Sequence, residues 1–360
     1  MKARRVRGVV AALAAVMVTS LAAACGGGGT TADGGASAPA GGAPAEKSEL
    51  RLGFFPNITH STALVGVEKG YFTKALGDDV TLKTSTFNAG PAAIEAVFSG
   101  AIDATYIGPN PAINAWEKSK GQAIKIVAGA ASGGVYLVVK PEINSIEDLK
   151  GKKVATPQLG NTQDVALRYY LDEKGIKTDT KGGGEVSIVP QENSLTLQTF
   201  ATGDIDAAWV PEPFASRLIQ ESGGKVLIDE RDLWPNKQFV ITHLIVRQEW
   251  AKEHPDLVKK LIEGHVESTA FINSDPAGAA TAVNAQLEKL TGKPLKPEVL
   301  DAALKNITFT NDPIASSLVG SADHAIKVGL LKPLDLNGIY DLTTLNGILS
   351  AKGETAVSDK

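Results

Sequence analysis

The sequence predicts an α/β fold made of two similar lobes and a mainly helical C-terminal portion. Apolar strand-like runs alternate with helical segments, a pattern typical of βαβ units and of sheets that contain parallel strands. The phrase "GAIDATYIGPNPAI", which starts at Gly100, returns as "GDIDAAWVPEPFAS" from Gly203. About 310 residues follow the N-terminal segments, which favours two domains over a single core.

The N-terminus reads as an export signal. Four basic residues precede an apolar run that ends in "LAAAC", which is typical of a signal peptide and not of a spanning helix, so residues 1–24 are assigned to it. Cys25 is the only cysteine and follows three alanines, as in the lipidation site of bacterial lipoproteins. Leu21 stands one place further away than the usual lipobox leucine, and an ordinary signal peptide is the alternative. We expect Cys25 to be lipidated.

Residues 25–48 are predicted to form a flexible tether. The segment is rich in Gly, Ala and Ser and has almost no larger apolar side chain, so it cannot bury enough surface to offset its ordering entropy. Its four consecutive glycines do not form a phosphate loop, because no strand precedes them and no Gly-Lys-Ser/Thr follows. The folded body is therefore expected to start near Glu49.

The body divides into strands and helices in a regular order. The predicted strands are 49–55, 80–87, 103–107, 123–130, 135–140, 152–157, 185–190 and 206–210, and the predicted helices are 60–72, 91–100, 111–119, 162–175, 194–203 and 255–274. From residue 243 onward the pattern is mainly helical. In the repeated phrase, a proline-rich turn follows each strand, and ligands bind beyond the carboxyl ends of strands in open parallel sheets. The alternative is that Gly-x-Ile-Asp-Ala simply turns a helix into a strand.

Four segments in order resemble a known family. They are "GVEKGYF" (66–72), "NAGPAAIEAVFSGAIDATYIGPNPAI" (88–113), "SIEDLKGKKVATPQLGNTQDVALRYYL" (145–171) and "ATGDIDAAWVPEPFA" (201–215). The chain resembles the substrate-binding lipoproteins of ABC importers, in the sulfonate, taurine and nitrate group (NMT1-like, periplasmic-binding-protein type II).

The resemblance implies a clamshell of two lobes, each a mixed, mostly parallel sheet flanked by helices. The chain would cross between them near Lys140 and Phe239, so that lobe I holds 49–139 plus 240–360 and lobe II holds 140–239.

The candidate site gathers hydrogen-bond donors at strand ends and helix starts. A sulfonate or nitrate keeps its charge at neutral pH, and helix N-termini offer free N–H groups and a positive partial charge. The candidate ligand-binding residues are Phe55, Asn57, His60, Asn88, Gly90, Gly108, Asn110, Ser132, Gln158, Asn161, Thr162, Trp209 and Glu212.

Several of these residues have a second interpretation. Asn161 or Thr162 could serve only as a helix cap, and Trp209 could pack in a core and not form an apolar wall for an alkyl chain. Glu212 pairs well with an amine such as that of taurine, or it is simply an acid favoured by a helix N-terminus.

Composition argues against other classes of function. A net charge of −4 with dispersed Lys and Arg makes nucleic-acid binding improbable. The five histidines lack metal-site spacing, no Gly-x-Ser-x-Gly elbow is present, and the relatives that synthesise a thiamine pyrimidine carry a cysteine-rich segment that this chain lacks. We expect no enzyme activity, no metal and no cofactor. A ligand-sensing domain is the alternative from another class.

The resemblance implies the solute-binding component of an ABC importer. A monomer, lipid-anchored on the outer face of the cytoplasmic membrane or periplasmic, would capture a small anion and deliver it to a membrane permease. A separate subunit would supply the ATPase, because this chain has no Walker A loop. The expected cargo is an aliphatic sulfonate, with nitrate or taurine as alternatives.

Overall fold

The structure is a computed structural model that describes residues 48–360. The predicted signal peptide, Cys25 and the tether up to residue 47 lie outside the described residues. The first strand begins at Ser48, one residue before the expected start of the folded body.

The first sheet is built around three parallel strands. Within residues 48–360 it has six strands in the order β11-β4-β10-β3-β1-β2. These are β1 (Ser48–Phe54), β2 (Val80–Thr86), β3 (Ala104–Ile107), β4 (Ile124–Gly133), β10 (Val240–Arg247) and β11 (Ile307–Phe309). β1 pairs in parallel with β2 and β3, whereas β10 pairs antiparallel with both β3 and β4.

The second sheet repeats this plan. In the described part of the chain it has five strands in the order β7-β6-β8-β5-β9. These are β5 (Val135–Val139), β6 (Lys153–Thr156), β7 (Ser187–Pro190), β8 (Ala207–Pro211) and β9 (Lys225–Asp229). β6 pairs in parallel with β7 and β8, and β5 pairs antiparallel with β8 and β9.

Two details of the prediction need correction. Residues 135–139 were assigned to lobe I with a crossing near Lys140, but β5 pairs with β8 and β9, so the chain changes sheet at Gly133 and Gly134. Both glycines have positive φ, of 81° and 69°, which lets the backbone turn where a side chain would be strained. The sheets are mixed, as expected, but their antiparallel share is larger than predicted because β5 and β10, each next to a crossing, run against their neighbours.

Helices flank both sheets and dominate the C-terminal portion, as predicted. They are α1 (Ser61–Glu68), α2 (Tyr71–Leu76), α3 (Gly90–Phe98), α4 (Pro109–Lys118), α5 (Thr162–Glu173), α6 (Asn193–Thr202), α7 (Phe214–Ser222), α8 (Gln248–Glu253), α9 (Pro255–Ser274), α10 (Pro276–Thr291), α11 (Pro297–Lys305), α12 (Ala315–Lys327) and α13 (Thr343–Ala351). Residues 243–247, read as the start of the helical pattern, instead belong to the buried strand β10. Among residues 48–360, no helix combines the length and the apolar character needed to cross a bilayer.

The motif "GVEKGYF" has a packing role in the first sheet's helical layer. Phe72 is fully buried, and a Cβ placed on Gly66 would lie 2.3 Å from its ring, while one on Gly264 of α9 would lie 2.7 Å from it. Glycine at both positions therefore lets α1, α2 and α9 close around one aromatic ring. Loss of a buried Phe side chain typically costs about 3–5 kcal/mol.

Candidate ligand-binding site

A narrow cavity lies at the carboxyl ends of parallel strands from both sheets. It is lined by Phe55, Asn57, Thr59, His60, Asn88, Ala89, Gly108, Pro157, Asn161, Thr162, Gln163, Asn193, Pro211 and Ile241. The loops after β1, β2 and β3 form one wall, and those after β6, β7 and β8 form the other. The volume open to the centre of a water molecule is about 20 Å³, little more than one water needs.

Four helices begin at this cavity. Ala89, Gly108 and Asn161 are the N-cap residues of α3, α4 and α5, and Asn193 is the first residue of α6. None of these four N-termini has a capping bond from its N-cap side chain. Because the first N–H groups of a helix have no partner within it, their positive partial charges remain available to a ligand.

Two buried polar atoms of the lining have no hydrogen-bond partner among residues 48–360. Thr162 Oγ1 and Asn193 Oδ1 make no hydrogen bond, although both residues are almost fully buried. A buried polar group without a partner costs about 1–3 kcal/mol, so such groups are rare in folded proteins. Their place on the lining of one cavity indicates that a ligand or water completes their bonding.

His60 is a neutral donor at this cavity. Its Nδ1 accepts a hydrogen bond from the Phe55 N–H at 3.2 Å, so the ring proton lies on Nε2. Its ring stacks on Phe55 with a centroid distance of 4.3 Å. Burial lowers the pKa of His60 to about 3, which keeps the imidazole uncharged at neutral pH. The side chain therefore offers an Nε2–H group without a formal charge.

The lining carries no formal charge. None of its described residues is Asp, Glu, Lys or Arg, and its one histidine is neutral. Helix N-termini and neutral donors can together balance the charge of an anion, and no counter-ion within such a cavity has to be separated when a ligand leaves. No metal centre is indicated either, since residues 48–360 contain no group of three or more potential ligands from His, Cys, Asp and Glu.

A wide vestibule adjoins the narrow cavity and shares Asn57, Asn88 and Asn193 with it. About 500 Å³ of it is open to the centre of a water molecule. Its apolar lining consists of Pro56, Pro213, Phe214, Leu287, Leu290, Pro294 and Leu295, and its charged lining consists of Arg217, Glu221, Lys293 and Lys296. The charged groups sum to a positive charge, since three are basic and one is acidic.

The family model described as the NMT1-like family matches residues 43–287 of this chain. The chain belongs to the NMT1-like family. It is 30% identical over 310 residues to a protein of Brucella abortus named as a binding protein, covering 82% of this chain and 91% of that relative. It is 27% identical to the taurine-binding periplasmic protein of Escherichia coli, over 71% of this chain and 77% of that one. These relatives are named as binding proteins and not as enzymes.

Solved structures show the same fold. The alkanesulfonate-binding protein SsuA from Xanthomonas axonopodis pv. citri, bound to MOPS, has a TM-score of 0.66 at 19% identity, covering 80% of this chain and 96% of that one. The periplasmic nitrate-binding protein NrtA from Synechocystis PCC 6803 has a TM-score of 0.72 at 16% identity, covering 85% and 89%. The family's two-lobed binding-protein fold is thus confirmed for this chain.

Most of the candidate residues lie together. The cavity lining includes Phe55, Asn57, His60, Asn88, Gly108, Asn161 and Thr162. Gly90 lies beside it, because a Cβ placed there would be 3.2 Å from Asn161 Oδ1 across the cleft. Gly108 is closer still to the opposite wall, since its Cβ would be 2.5 Å from Thr162 Oγ1. The absence of side chains at these glycines allows the two walls to approach.

Three other candidates lie outside the lining, and two of them have side chains that are bonded elsewhere. Asn110 donates from Nδ2 to the Ser321 carbonyl of α12 at 3.0 Å. Ser132 Oγ accepts the Phe239 N–H at 3.3 Å and so ties the two crossings together. Gln158 accepts the Asn161 N–H through its backbone carbonyl, which shapes the turn before α5.

Trp209 and Glu212 also lie outside the lining. The Trp209 indole donates to Glu230 Oε2 at 2.6 Å and is fully buried, so the core-packing interpretation applies. The Glu212 carboxylate accepts bonds from the backbone N–H and hydroxyl of Ser216 and from Asn306 Nδ2 at 2.7 Å. Both carboxylate oxygens of Glu212 therefore already accept hydrogen bonds from other residues of the protein.

Several lining residues do not appear among the candidates predicted from the sequence. They are Ala89, Pro157, Gln163, Asn193, Pro211 and Ile241. The sequence contains a signal for Asn193, because this residue stands between a predicted strand and a predicted helix, as several of the candidate residues do. The sequence contains no signal that would place Ile241 at the site, because it lies at the start of β10 and this segment was not predicted as a strand.

Proposed function

We propose that this protein captures a small organic anion, with an aliphatic sulfonate as the favoured class, for delivery to a membrane permease of an ABC importer. The observation that carries the proposal is the meeting of four uncapped helix N-termini at a cavity whose lining has no formal charge. The names of the relatives support the same role, since they include taurine-binding and aliphatic sulfonates-binding proteins.

A sulfonate head group suits the donors of the narrow cavity. It has three acceptor oxygens and keeps its charge throughout the physiological pH range. Thr162 Oγ1–H and His60 Nε2–H are donors on different elements around the cavity. A hydrogen bond to a charged group contributes about 1.5–3 kcal/mol, so a few such bonds can hold the anion.

The vestibule favours an organic anion over a bare inorganic one. A head group fills the narrow cavity, and an attached chain would pass Asn57, Asn88 and Asn193 into a space lined by Phe214 and leucines. Burial of a methylene group there contributes about 0.8 kcal/mol. The basic groups at the vestibule would also attract an approaching anion.

Nitrate is the second candidate, because the narrow cavity alone accommodates only a very small ligand. Taurine receives less support than the sequence suggested. The carboxylate that was expected to pair with its amine, Glu212, is held by Ser216 and Asn306.

We also propose the cellular setting. Cys25 would carry a lipid that anchors the protein, as a monomer, at the outer face of the cytoplasmic membrane, and residues 26–47 would act as a tether. A permease and a separate ATPase subunit would complete the importer. Lobe I would hold residues 48–133 plus 240–360 and lobe II residues 135–239, with closure by a hinge motion at the two crossings. A Cys25→Ala variant should lose membrane attachment in a cell-fractionation assay.

The function is tested by thermal unfolding of the full-length protein with a panel of ligands. The panel holds short and medium alkanesulfonates, taurine, nitrate, bicarbonate and a hydroxymethylpyrimidine. A ligand present at about 100 times its dissociation constant adds about 2.7 kcal/mol of stability, which shifts the unfolding midpoint. We expect the alkanesulfonates to give the largest shift. A shift by nitrate alone would support the second candidate, and no shift by any anion would contradict the proposal.

A matched pair of variants locates the site. Thr162→Val removes the unpaired hydroxyl and keeps the side-chain shape, so sulfonate affinity should fall about tenfold. Thr202→Val makes the same change at the exposed end of α6 and should leave affinity unchanged.

A further inference from the structure

A second cavity lies at the far end of α5 from the ligand-binding site. About 240 Å³ of it is open to the centre of a water molecule. It is lined by Ala166, Tyr169, Tyr170, Glu173, Lys174, Glu230, Leu233, Trp234 and His324. These residues come from α5, from the connection that follows β9 and from α12. None of them belongs to the narrow cavity or the vestibule.

Glu230 is an uncompensated acid in the lining of this cavity. Its side chain is almost fully buried, and its two oxygens accept bonds from the Trp209 indole at 2.6 Å and the Trp234 indole at 3.4 Å. Within residues 48–360 no lysine or arginine nitrogen lies within 4.0 Å of it. Burial raises the pKa of Glu230 to about 7. Among the residues that the structure describes, two neutral donors therefore serve this carboxylate and no cation balances its charge.

The walls of the cavity are aromatic. Tyr169 stacks on His324 with a centroid distance of 3.6 Å, and the Trp234 ring lies 5.0 Å from His324. Two of the rings already receive ammonium groups of the protein, since Lys174 Nζ lies 5.4 Å from the Tyr170 centroid and Lys327 Nζ lies 5.1 Å from that of Tyr169. Faces of aromatic rings attract cations, most strongly where water is excluded.

The two lysines differ in how firmly they are held. Lys327 forms ion pairs with Asp172 and Glu173. Lys174 has no carboxylate oxygen within 4.0 Å in the described part of the chain, so only its contact with Tyr170 holds its ammonium group in place. A cation that enters the cavity would therefore displace Lys174 more readily than Lys327.

We propose that this cavity binds a small organic cation of the alkylammonium class. Its charge would face Glu230, and its alkyl groups would contact Tyr170 and Trp234. A metal ion suits the lining less well, because Glu230 is accompanied by aromatic rings and Glu173 is paired with Lys327. The proposal is independent of the anion in the other cavity, and it adds a second ligand of opposite charge to this protein.

The test compares two probes of nearly equal shape. Choline is titrated into the full-length protein by calorimetry near pH 8, where Glu230 is ionised, and its uncharged isostere 3,3-dimethylbutan-1-ol is titrated in parallel. We expect saturable binding of choline and affinity for the isostere weaker by about tenfold or more. If choline does not bind, or if the isostere binds equally well, the proposal is overturned.

Variants assign the binding to this cavity. Glu230→Gln should lower choline affinity about tenfold, whereas Lys174→Gln should raise it because the competing ammonium group is gone. Lys118→Gln, at the end of α4, is the control with no expected effect. Since Lys174 is exposed, its replacement leaves the fold intact. Unchanged choline affinity in Lys174→Gln together with unchanged affinity in Glu230→Gln would place the binding elsewhere and contradict the proposal.

Discussion

The two copies of the repeated phrase have the same role in their sheets but different roles at the ligand-binding cavity. Asp103 Oδ2 accepts the Arg51 N–H of the neighbouring strand at 3.0 Å, and Asp206 Oδ2 accepts the Lys153 N–H at 2.9 Å. Both aspartates thus fix the start of a central strand, β3 or β8, against its parallel neighbour. In each copy the strand also pairs antiparallel on its other side.

Beyond the strands the copies diverge. Gly108 follows β3 as the N-cap of α4 and lines the narrow cavity, whereas at the aligned position Pro211, which lacks an N–H group, contributes only a wall. In the second copy Glu212 turns to Ser216 and Asn306. The second sheet's donors come instead from the starts of α5 and α6. The repeat therefore encodes the geometry of a strand end and not the chemistry of binding.

The largest expected effect separates the two aspartates. Asp103 also pairs with Arg51 and lies near Arg247, and its side chain is almost fully buried. Asp103→Ala leaves a partly buried arginine without its partner and should lower the free energy of unfolding by about 3–5 kcal/mol. Asp206→Ala removes mainly one backbone contact and should cost about 1 kcal/mol. Urea unfolding measures both, and equal losses would contradict this distinction.

The next effect is the pH dependence of the free energy of unfolding. It compares Glu230, which lies beside the second copy, with His60, which lies at the first sheet. Burial raises the pKa of Glu230 from 4.5 to about 7. The folded state therefore binds its proton more tightly, and the resulting stability is lost as the pH rises from 4.5 through 7, by about 3 kcal/mol. Glu230→Gln should flatten this part of the stability curve near neutral pH. The same pH dependence of stability in the wild type and in Glu230→Gln between pH 4.5 and pH 8 would contradict this prediction.

His60 should act in the opposite direction. Burial lowers its pKa from 6.5 to about 3, so the stability it contributes is present above pH 6.5 and is lost as the pH falls towards 3. Because the imidazole stays neutral at higher pH, ligand affinity should be constant from near pH 7 to near pH 8. A change in affinity of about tenfold across that range would show that a titrating group lies at the site.

The smallest expected effect compares Gly108 with its aligned residue. Gly108→Ala places a Cβ 2.5 Å from Thr162 Oγ1 and should weaken anion binding about tenfold by holding the walls apart. Pro211→Ala should change affinity only slightly, because Pro211 donates no hydrogen bond. Calorimetry measures both variants. Adding Thr162→Ser to Gly108→Ala removes a methyl group beside the overlap and should restore part of the affinity.

The sequence predicted the strands and helices well wherever apolar runs were bounded by glycine or proline. Gly108, Asn161 and Thr162 were identified because they stand between a strand and a helix. Trp209 and Glu212 were predicted to line the site, as an apolar wall and as the partner of an amine, because they stand at the turn that ends the second copy. Their positions could not be inferred, because they depend on contacts with Glu230 and Asn306, which lie 21 and 94 residues away in the chain. The first crossing was misplaced for a similar reason, since the pairing of β5 decides it.

The central claim is that an uncharged cavity holds an anion through helix N-termini and neutral side-chain donors. Calorimetric titration of the full-length protein with butanesulfonate, and with the uncharged butyl methyl sulfone as its control, tests this claim directly. We predict saturable binding of the sulfonate, weakened about tenfold by Thr162→Val, and far weaker binding of the sulfone. Equal binding of the two compounds, or sulfonate binding that Thr162→Val leaves unchanged, would contradict it.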